Sequence, residues 1–159
     1  MGFFKDLMQK GNAGSLRSFS YSPGYCDMAG ACHHDELRKD EESGWTFESS
    51  NREVHSDPMK ITVYAVSDEA AAGFEKFIKE KDVISLSKRP ASDEFATDYS
   101  PWRYNVVFDC SAEGGSSYEN YSISEYKKYS ENDMSLLKEV RERFYALKGG
   151  IISENIEKD

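Results

Sequence analysis

Two cysteines and two histidines of this chain lie within one short segment, and their side chains are natural ligands of a metal ion. Cys26 is followed by Cys32, His33 and His34, and Zn²⁺ accepts thiolate and imidazole in a tetrahedral site. The spacing is irregular, because five residues separate the cysteines and adjacent side chains point to opposite sides of an extended chain. We interpret the segment as a glycine-containing loop with polar tips. A metal site on these four residues and a regulatory pair of thiols are the alternatives.

The familiar catalytic arrangements are each incomplete in this sequence. Cys32 adjoins His33, but a cysteine nucleophile needs a base within hydrogen-bond reach and an oxyanion donor, which adjacency along the chain does not provide. Gly114 and Gly115 lack the lysine of a phosphate-binding loop and fit a hairpin turn instead. No catalytic residue and no cofactor are predicted. The sequence favours a non-enzymatic protein-interaction module over an enzyme or small-ligand binder whose site lies in the Cys26–His34 loop.

Tyrosines are more numerous in the second half of the chain than one side of a small sheet requires. Tyrosine anchors many protein interfaces, because it contributes a large contact area and a hydroxyl while few torsions are immobilised. The candidate binding residues of this group are Tyr99, Tyr118, Tyr121, Tyr126 and Tyr129. The alternative interpretation is that most of them lie partly buried at the edges of a sheet.

The N-terminal segment is a second candidate for docking. Residues 3–9 could form two helical turns with Phe3, Phe4, Leu7 and Met8 on one face. An apolar helix on a flexible joint can bind a groove on a partner or on a second copy of the chain. We therefore predict a protein partner, and the sequence is equally consistent with a homo-oligomer and a monomer. A terminus that packs loosely is the alternative.

Charge and composition exclude several classes of partner. The 159 residues carry 29 Asp and Glu against 20 Lys and Arg, a formal net charge of −9. Nucleic acid is an unfavourable partner, because phosphate binding needs a basic surface, and anionic membrane surfaces are disfavoured for the same reason. The apolar runs are too short to span a bilayer, and the start of the chain is unlike a signal peptide. With an odd number of cysteines, these features predict a soluble cytoplasmic protein.

Alternating side chains predict most of the strands. The clearest alternation is at Trp102–Cys110, which a glycine-containing turn joins to Ser116–Ser124 as a hairpin. Further strands are predicted at Leu16–Ser22 and Lys60–Val66. Residues 36–51 resemble a hairpin whose inward side chains are Leu37, Trp45 and Phe47.

Two amphipathic helices follow the strands in the predicted order. The first begins after the N-cap Ser67, and the second spans Ser130–Lys148 with Gly149 as its C-cap. Val83–Leu86 is predicted to be a short strand or an extended segment. The predicted fold class is α+β, an antiparallel sheet of about five to six strands with both helices packed on one face. The predicted organisation is a short helix and joint over 1–14, one domain over 15–148 and a tail over 149–159.

The layout from Leu16 onward resembles small uncharacterised bacterial proteins classed as domains of unknown function. The resemblance rests on residues 17–22, which read Arg-Ser-Phe-Ser-Tyr-Ser before a glycine-containing loop, and on residues 92–95, which read Ser-Asp-Glu-Phe. It continues through the strand pair Trp102–Ser124 before a closing helix and covers about four-fifths of the chain. The sequence departs from the pattern in its cysteine- and histidine-bearing loop. The resemblance implies no activity and no catalytic residue.

The irregular Cys/His spacing predicts that folding needs no metal ion. Protein purified without a chelator should contain no stoichiometric zinc by elemental analysis, and a chelator should leave its thermal unfolding unchanged. Zinc at one ion per chain, lost together with stability on chelation, would show that Cys26, Cys32, His33 and His34 form a structural site.

Overall fold

A seven-stranded antiparallel sheet forms the framework of the protein. The computed structural model describes residues 14–23, 32–42, 44–54, 56–92, 101–110 and 117–157. The strands are β1 (Ser15–Ser22), β2 (Cys32–Asp40), β3 (Gly44–Arg52), β4 (Met59–Ala65), β5 (Arg103–Asp109), β6 (Tyr118–Ser124) and β7 (Ile151–Glu157). Their order across the sheet is β6-β5-β1-β2-β3-β4-β7. The predicted α+β class with an antiparallel sheet is confirmed.

The strand count differs from the prediction because of the C-terminal segment. The sequence predicts five to six strands and a tail over 149–159, whereas Ile151–Glu157 forms β7 and pairs with β4. Pairing with β4 is a long-range contact, and no hairpin turn joins the two strands that would have indicated it in the sequence. The predicted helix at residues 3–9 and the predicted joint after it, except its last residue Gly14, lie outside the described residues.

In the part of the chain that the structure describes, two helices and one 3₁₀-helix accompany the sheet. Helix α1 (Asp68–Glu80) begins at the predicted cap, where the Ser67 hydroxyl accepts from the N–H of Ala70 at 3.0 Å. Helix α2 (Glu131–Tyr145) begins at a capping box formed by Ser130 and Asp133. The described helices include none that is long and apolar enough to cross a membrane.

The prediction for Val83–Leu86 was wrong, because Val83–Lys88 forms the 3₁₀-helix. Side chains three residues apart point the same way in such a helix. Both Val83 and Leu86 are buried in the core, and a strand would have placed them on opposite faces.

The core lies between the helices and one face of the sheet and is dominated by aromatic rings. The Phe144 ring of α2 lies 4.9 Å from Phe19 of β1 and 4.7 Å from Phe47 of β3, measured between centroids. Phe74 of α1 meets Phe19 edge-on at 5.0 Å. Both helices therefore pack on the same face of the sheet. Burial of each such side chain stabilises the fold by about 1.5–3 kcal/mol.

A charged contact ties the 3₁₀-helix to the start of α2. Arg89 donates from Nε to Asp133 Oδ2 at 2.9 Å and from Nη2 to Oδ1 at 3.0 Å. These bonds lower the pKa of Asp133 to about 2, below the ordinary value of about 3.9. The carboxylate therefore adds stability above about pH 4, and this contribution is lost as the pH falls towards 2.

Gly149 has a different role from the predicted C-cap. Helix α2 ends at Tyr145, and Ala146 takes the cap position. Gly149 instead passes close to β4, and its N–H donates to the carbonyl oxygen of Ala65 at 2.8 Å. A Cβ at this position would lie 2.4 Å from the same oxygen. The close approach of the two backbones therefore needs glycine, and it leads the chain into β7.

Replacement of Gly149 by alanine should weaken the junction between α2 and β7. We expect Gly149→Ala to lower the free energy of unfolding by about 1–3 kcal/mol, because backbone must move to remove the clash. Gly150→Ala is the matched control, since nothing lies within 4 Å of its added Cβ, and it should stay within about 0.5 kcal/mol of the parent. Urea unfolding followed by tryptophan fluorescence measures both. Equal losses in the two variants would contradict this role of Gly149.

Candidate functional site

On the face of the sheet that the helices cover, the side chains change from apolar to polar between two neighbouring rows. The apolar row across the sheet consists of Val106, Phe19, Leu37, Phe47 and Tyr64. The next row, two residues further along each strand, consists of Tyr104, Tyr21, Asp35, Ser49, Thr62 and Glu154. The last turn of α2 lies over the middle of this polar row, at Asp35.

Asp35 is a fully buried carboxylate on β2. Its Oδ2 lies 2.7 Å from Nε2 of His33 and accepts a hydrogen bond from the hydroxyl of Tyr145 on α2. An ionised carboxylate can only accept, so Nε2 of His33 carries the proton in this contact. The other oxygen, Oδ1, is buried and has no hydrogen-bond partner among the described residues. We call Asp35, His33, Ser49 and Tyr145 the Asp35 cluster.

The Asp35 cluster shifts the pKa values of its members in opposite directions. Burial favours the neutral form of Asp35, but hydrogen bonds from His33, Ser49 and Tyr145 outweigh it and lower the pKa of this carboxyl. Burial and the bond to Asp35 together raise the pKa of the Tyr145 hydroxyl. Asp35 is therefore charged and Tyr145 neutral over the physiological range. The cluster fastens the end of α2 to the sheet by a charge-assisted hydrogen bond, which is stronger than a neutral one.

A carboxylate bonded to an imidazole can also orient a general base, as it does in hydrolases. In this protein the same carboxylate oxygen is shared with Tyr145 under the helix. A second contact of α2 lies beside it, where Arg141 hydrogen-bonds the hydroxyls of Tyr21 and Tyr104. The arrangement is suited to positioning α2 on the sheet, and it leaves one carboxylate oxygen able to accept a further donor.

The predicted Cys/His segment does not come together as a metal site in the described residues. Cys32, His33 and His34 are successive residues of β2, so His33 faces α2 while Cys32 and His34 face the other side. Cys32 accepts a hydrogen bond from Arg52 at 3.8 Å, and Nε2 of His34 lies 3.3 Å from Glu36. Cys26 lies outside the described residues, within which no group of three His, Cys, Asp or Glu side chains could hold a metal ion.

The predicted tyrosine surface is spread over both faces of the sheet. Tyr118 is 52% exposed, with the Arg17 guanidinium 5.0 Å from its ring centre. Tyr121 lies on the opposite face of β6, packs against the core and donates to Glu119. Tyr129 is half-buried, stacks on Trp102 and donates to the carbonyl oxygen of Ser124.

The other predicted binding residues add little to this surface. Tyr126 is half-buried beside the end of β6. Tyr99, Phe3 and Phe4 lie outside the described residues. Among the described tyrosines Tyr118 is therefore the most accessible, and a binding role for the group stays a prediction.

The free side of β7 is the exposed apolar feature that the sequence analysis missed. Ile151, Ile152 and Ile156 are 57%, 58% and 62% exposed. Among the described strands, β7 pairs with β4 on one side and has no neighbouring strand on the other. We call this free side, with its three isoleucines, the β7 edge. The β-branched isoleucines are a signal for a strand, but the sequence prediction takes Gly149 as a helix C-cap and residues 149–159 as a tail.

Comparison with protein-family models, curated proteins and solved structures found no match to this chain. Its function is therefore inferred from its own geometry.

Removal of the Tyr145 hydroxyl should destabilise the fold in a pH-dependent way. We expect Tyr145→Phe to lower the free energy of unfolding by about 1–3 kcal/mol at pH 7, because a buried carboxylate loses a donor. The folded pKa of Asp35 is lowered, so this contribution is present above the unfolded value of about 3.9 and is lost as the pH falls through the folded pKa. The difference from the parent should therefore shrink below about pH 4.

The exposed Tyr118 offers a matched control for that measurement. Tyr118→Phe should stay within about 0.5 kcal/mol of the parent in urea unfolding at pH 7. A Tyr145→Phe deficit that is the same at pH 7 and pH 3, or that Tyr118→Phe reproduces, would mean that the bond to Asp35 is not what stabilises α2 on the sheet.

Proposed function

We propose that the chain is a non-enzymatic protein-interaction module that binds an extended segment of a partner along the β7 edge. The observation that carries the proposal is the exposure of Ile151, Ile152 and Ile156 on a strand that ends the sheet. An edge strand presents a row of unpaired backbone N–H and C=O groups. An added strand satisfies these groups, and pockets for its alternate side chains provide specificity.

The concentration of apolar surface on one strand supports this choice. Single exposed hydrophobic side chains are common on protein surfaces and need no explanation. In the described part of the chain, however, three of the six exposed large hydrophobic side chains belong to β7; the others are Val54, Tyr118 and Met134. An apolar strip beside unpaired backbone is typical of a binding surface.

The opposite edge of the sheet is a weaker candidate. Strand β6 carries Glu119, Asn120 and Ser122 along with its tyrosines. Of the predicted tyrosines Tyr118 lies on this edge and is exposed, so a contact of the partner with Tyr118 remains a separate hypothesis. The net charge of −9 supports a basic partner, because charge complementarity speeds encounter. Cys32 and Cys110 are free thiols, which fits the proposed cytoplasmic location.

A second candidate function is the binding of a small ligand at the Asp35 cluster. The buried Oδ1 atom of Asp35 without a partner among the described residues is the observation that favours it, because such an oxygen is costly unless it accepts a hydrogen bond. The ligand would carry an N–H or O–H donor. A compound that raises the Tm of the parent but not of Asp35→Asn would favour this candidate over the first.

Charged side chains on the β7 edge should abolish partner binding without unfolding the protein. We expect affinity-tagged parent protein to retain its partner from native extract, and the Ile152→Lys/Ile156→Lys variant to lose it. Met134→Lys is the matched control, because Met134 is 49% exposed on α2 and should leave binding unchanged. Circular dichroism and urea unfolding confirm the fold of each variant. Retention of the same partner by the double variant would contradict the proposal.

A further inference from the structure

A single carboxylate divides the apolar strip of the β7 edge. Glu154 lies opposite Thr62 and Ile156 lies opposite Lys60 in the pairing of β7 with β4. The alternation of strand side chains places Glu154 and Ile156 on the side that carries the helices. The register shifts between Val63 and Tyr64, so that Ile151 lies opposite Tyr64 on this same side and Ile152 is the extra residue of a bulge. A partner strand therefore meets the order apolar, acidic, apolar along this side of the edge.

Glu154 differs from most glutamates of the helices and the central strands in having no side-chain partner among the described residues. Glu75 pairs with Lys79, Glu139 with Arg143, and Glu48 with Arg38. The side chain of Glu154 is exposed and makes no hydrogen bond or ion pair with a described residue. A charge on an exposed edge blocks pairing with unsuitable strands. The same carboxylate is also available to pair with a basic side chain on a partner strand.

Pairing of two copies through β7 would oppose like charges. The symmetric antiparallel arrangement about the middle of the strand places Glu154 opposite Glu154 of the second copy. Like charges directly opposite each other destabilise a strand pair, whereas opposite charges stabilise it. Each copy also carries a net charge of −9. The β7 edge is therefore complementary in charge to a basic strand, whereas the β7 edges of two copies repel each other.

We infer that the β7 edge selects an extended segment in which a lysine or arginine is flanked, two residues away on each side, by apolar side chains. The basic side chain lies opposite Glu154, and the apolar side chains lie against Ile156 on one side and against the bulge of Ile151 and Ile152 on the other. The inference rests on the proposed function, because it names the chemistry of the partner that binds this edge.

Synthetic peptides test the inference on the full-length protein. Three fluorescently labelled peptides of seven residues match the length of β7. All three consist of threonine with valine at the second and sixth positions. They differ only at the fourth position, which is lysine, methionine or glutamate. We expect the lysine peptide to bind about fivefold to tenfold more tightly than the glutamate peptide by fluorescence anisotropy. Glu154→Lys should reverse this order, and added salt should weaken the preference. Hydrogen exchange should show protection of the β7 amides.

The outcomes separate the inference from the proposed function. Equal affinities for the three peptides, with protection of β7, would overturn the charge preference and leave binding at the edge standing. No binding up to about millimolar peptide, or protection elsewhere in the chain, would overturn the inference. The proposed function is tested separately, and retention of the partner by the Ile152→Lys/Ile156→Lys variant would contradict it. Dimerisation of the parent protein that protects the β7 amides in the absence of peptide would identify a second copy as the occupant.

Discussion

The ring of Phe144 is the contact on which the rest of the structure depends. It packs against Phe19 of β1, Phe47 of β3 and Phe74 of α1, and so it joins both helices to the centre of the sheet. Because Phe144 lies in the last turn of α2, it also holds this end of the helix against the sheet. An aromatic core of this kind compensates for the modest number of aliphatic side chains in a strongly charged chain.

The position of Phe144 has two consequences further along the chain. Its neighbour Tyr145 is brought over Asp35, so the apolar core ends at a buried carboxylate held by a hydroxyl and an imidazole. Beyond the helix, the chain returns to the sheet at Gly149, whose contact with Ala65 starts the pairing of β4 with β7. The core, the polar row and the exposed edge are therefore successive results of one helix placement.

The parts of the fold that the sequence predicts are those with local signals. Alternation places Leu37, Trp45 and Phe47 inward, and all three are buried. A helix start at Ser130 is predicted, and the capping box that Ser130 forms with Asp133 confirms it. These features depend on side chains only a few residues apart, so they can be predicted from a local pattern in the sequence.

The parts that the sequence does not predict depend on distant residues. Asp35 lies in a strongly charged stretch that is typical of surface, and its burial results from a tyrosine 110 residues away. Strand β7 follows two glycines and a helix, and its pairing depends on a backbone contact with Ala65. The β7 edge could be suspected from its isoleucines alone, but its place at the end of the sheet could not.

The order of the strands has a consequence for how the molecule folds. Strands β2, β3 and β4 are neighbours in both sequence and space, whereas β7 reaches β4 only across the chain between residues 65 and 151. Because closing long loops costs entropy before the contacts are made, local pairs form early and distant pairs form late. Strand β7 is then among the late strands to join, as is β5, which pairs with β1 across a similar length of chain. Because β7 lies at the end of the sheet, it opens at lower cost than the central strands. A segment bound along it would hold the sheet closed at the point where it opens most readily.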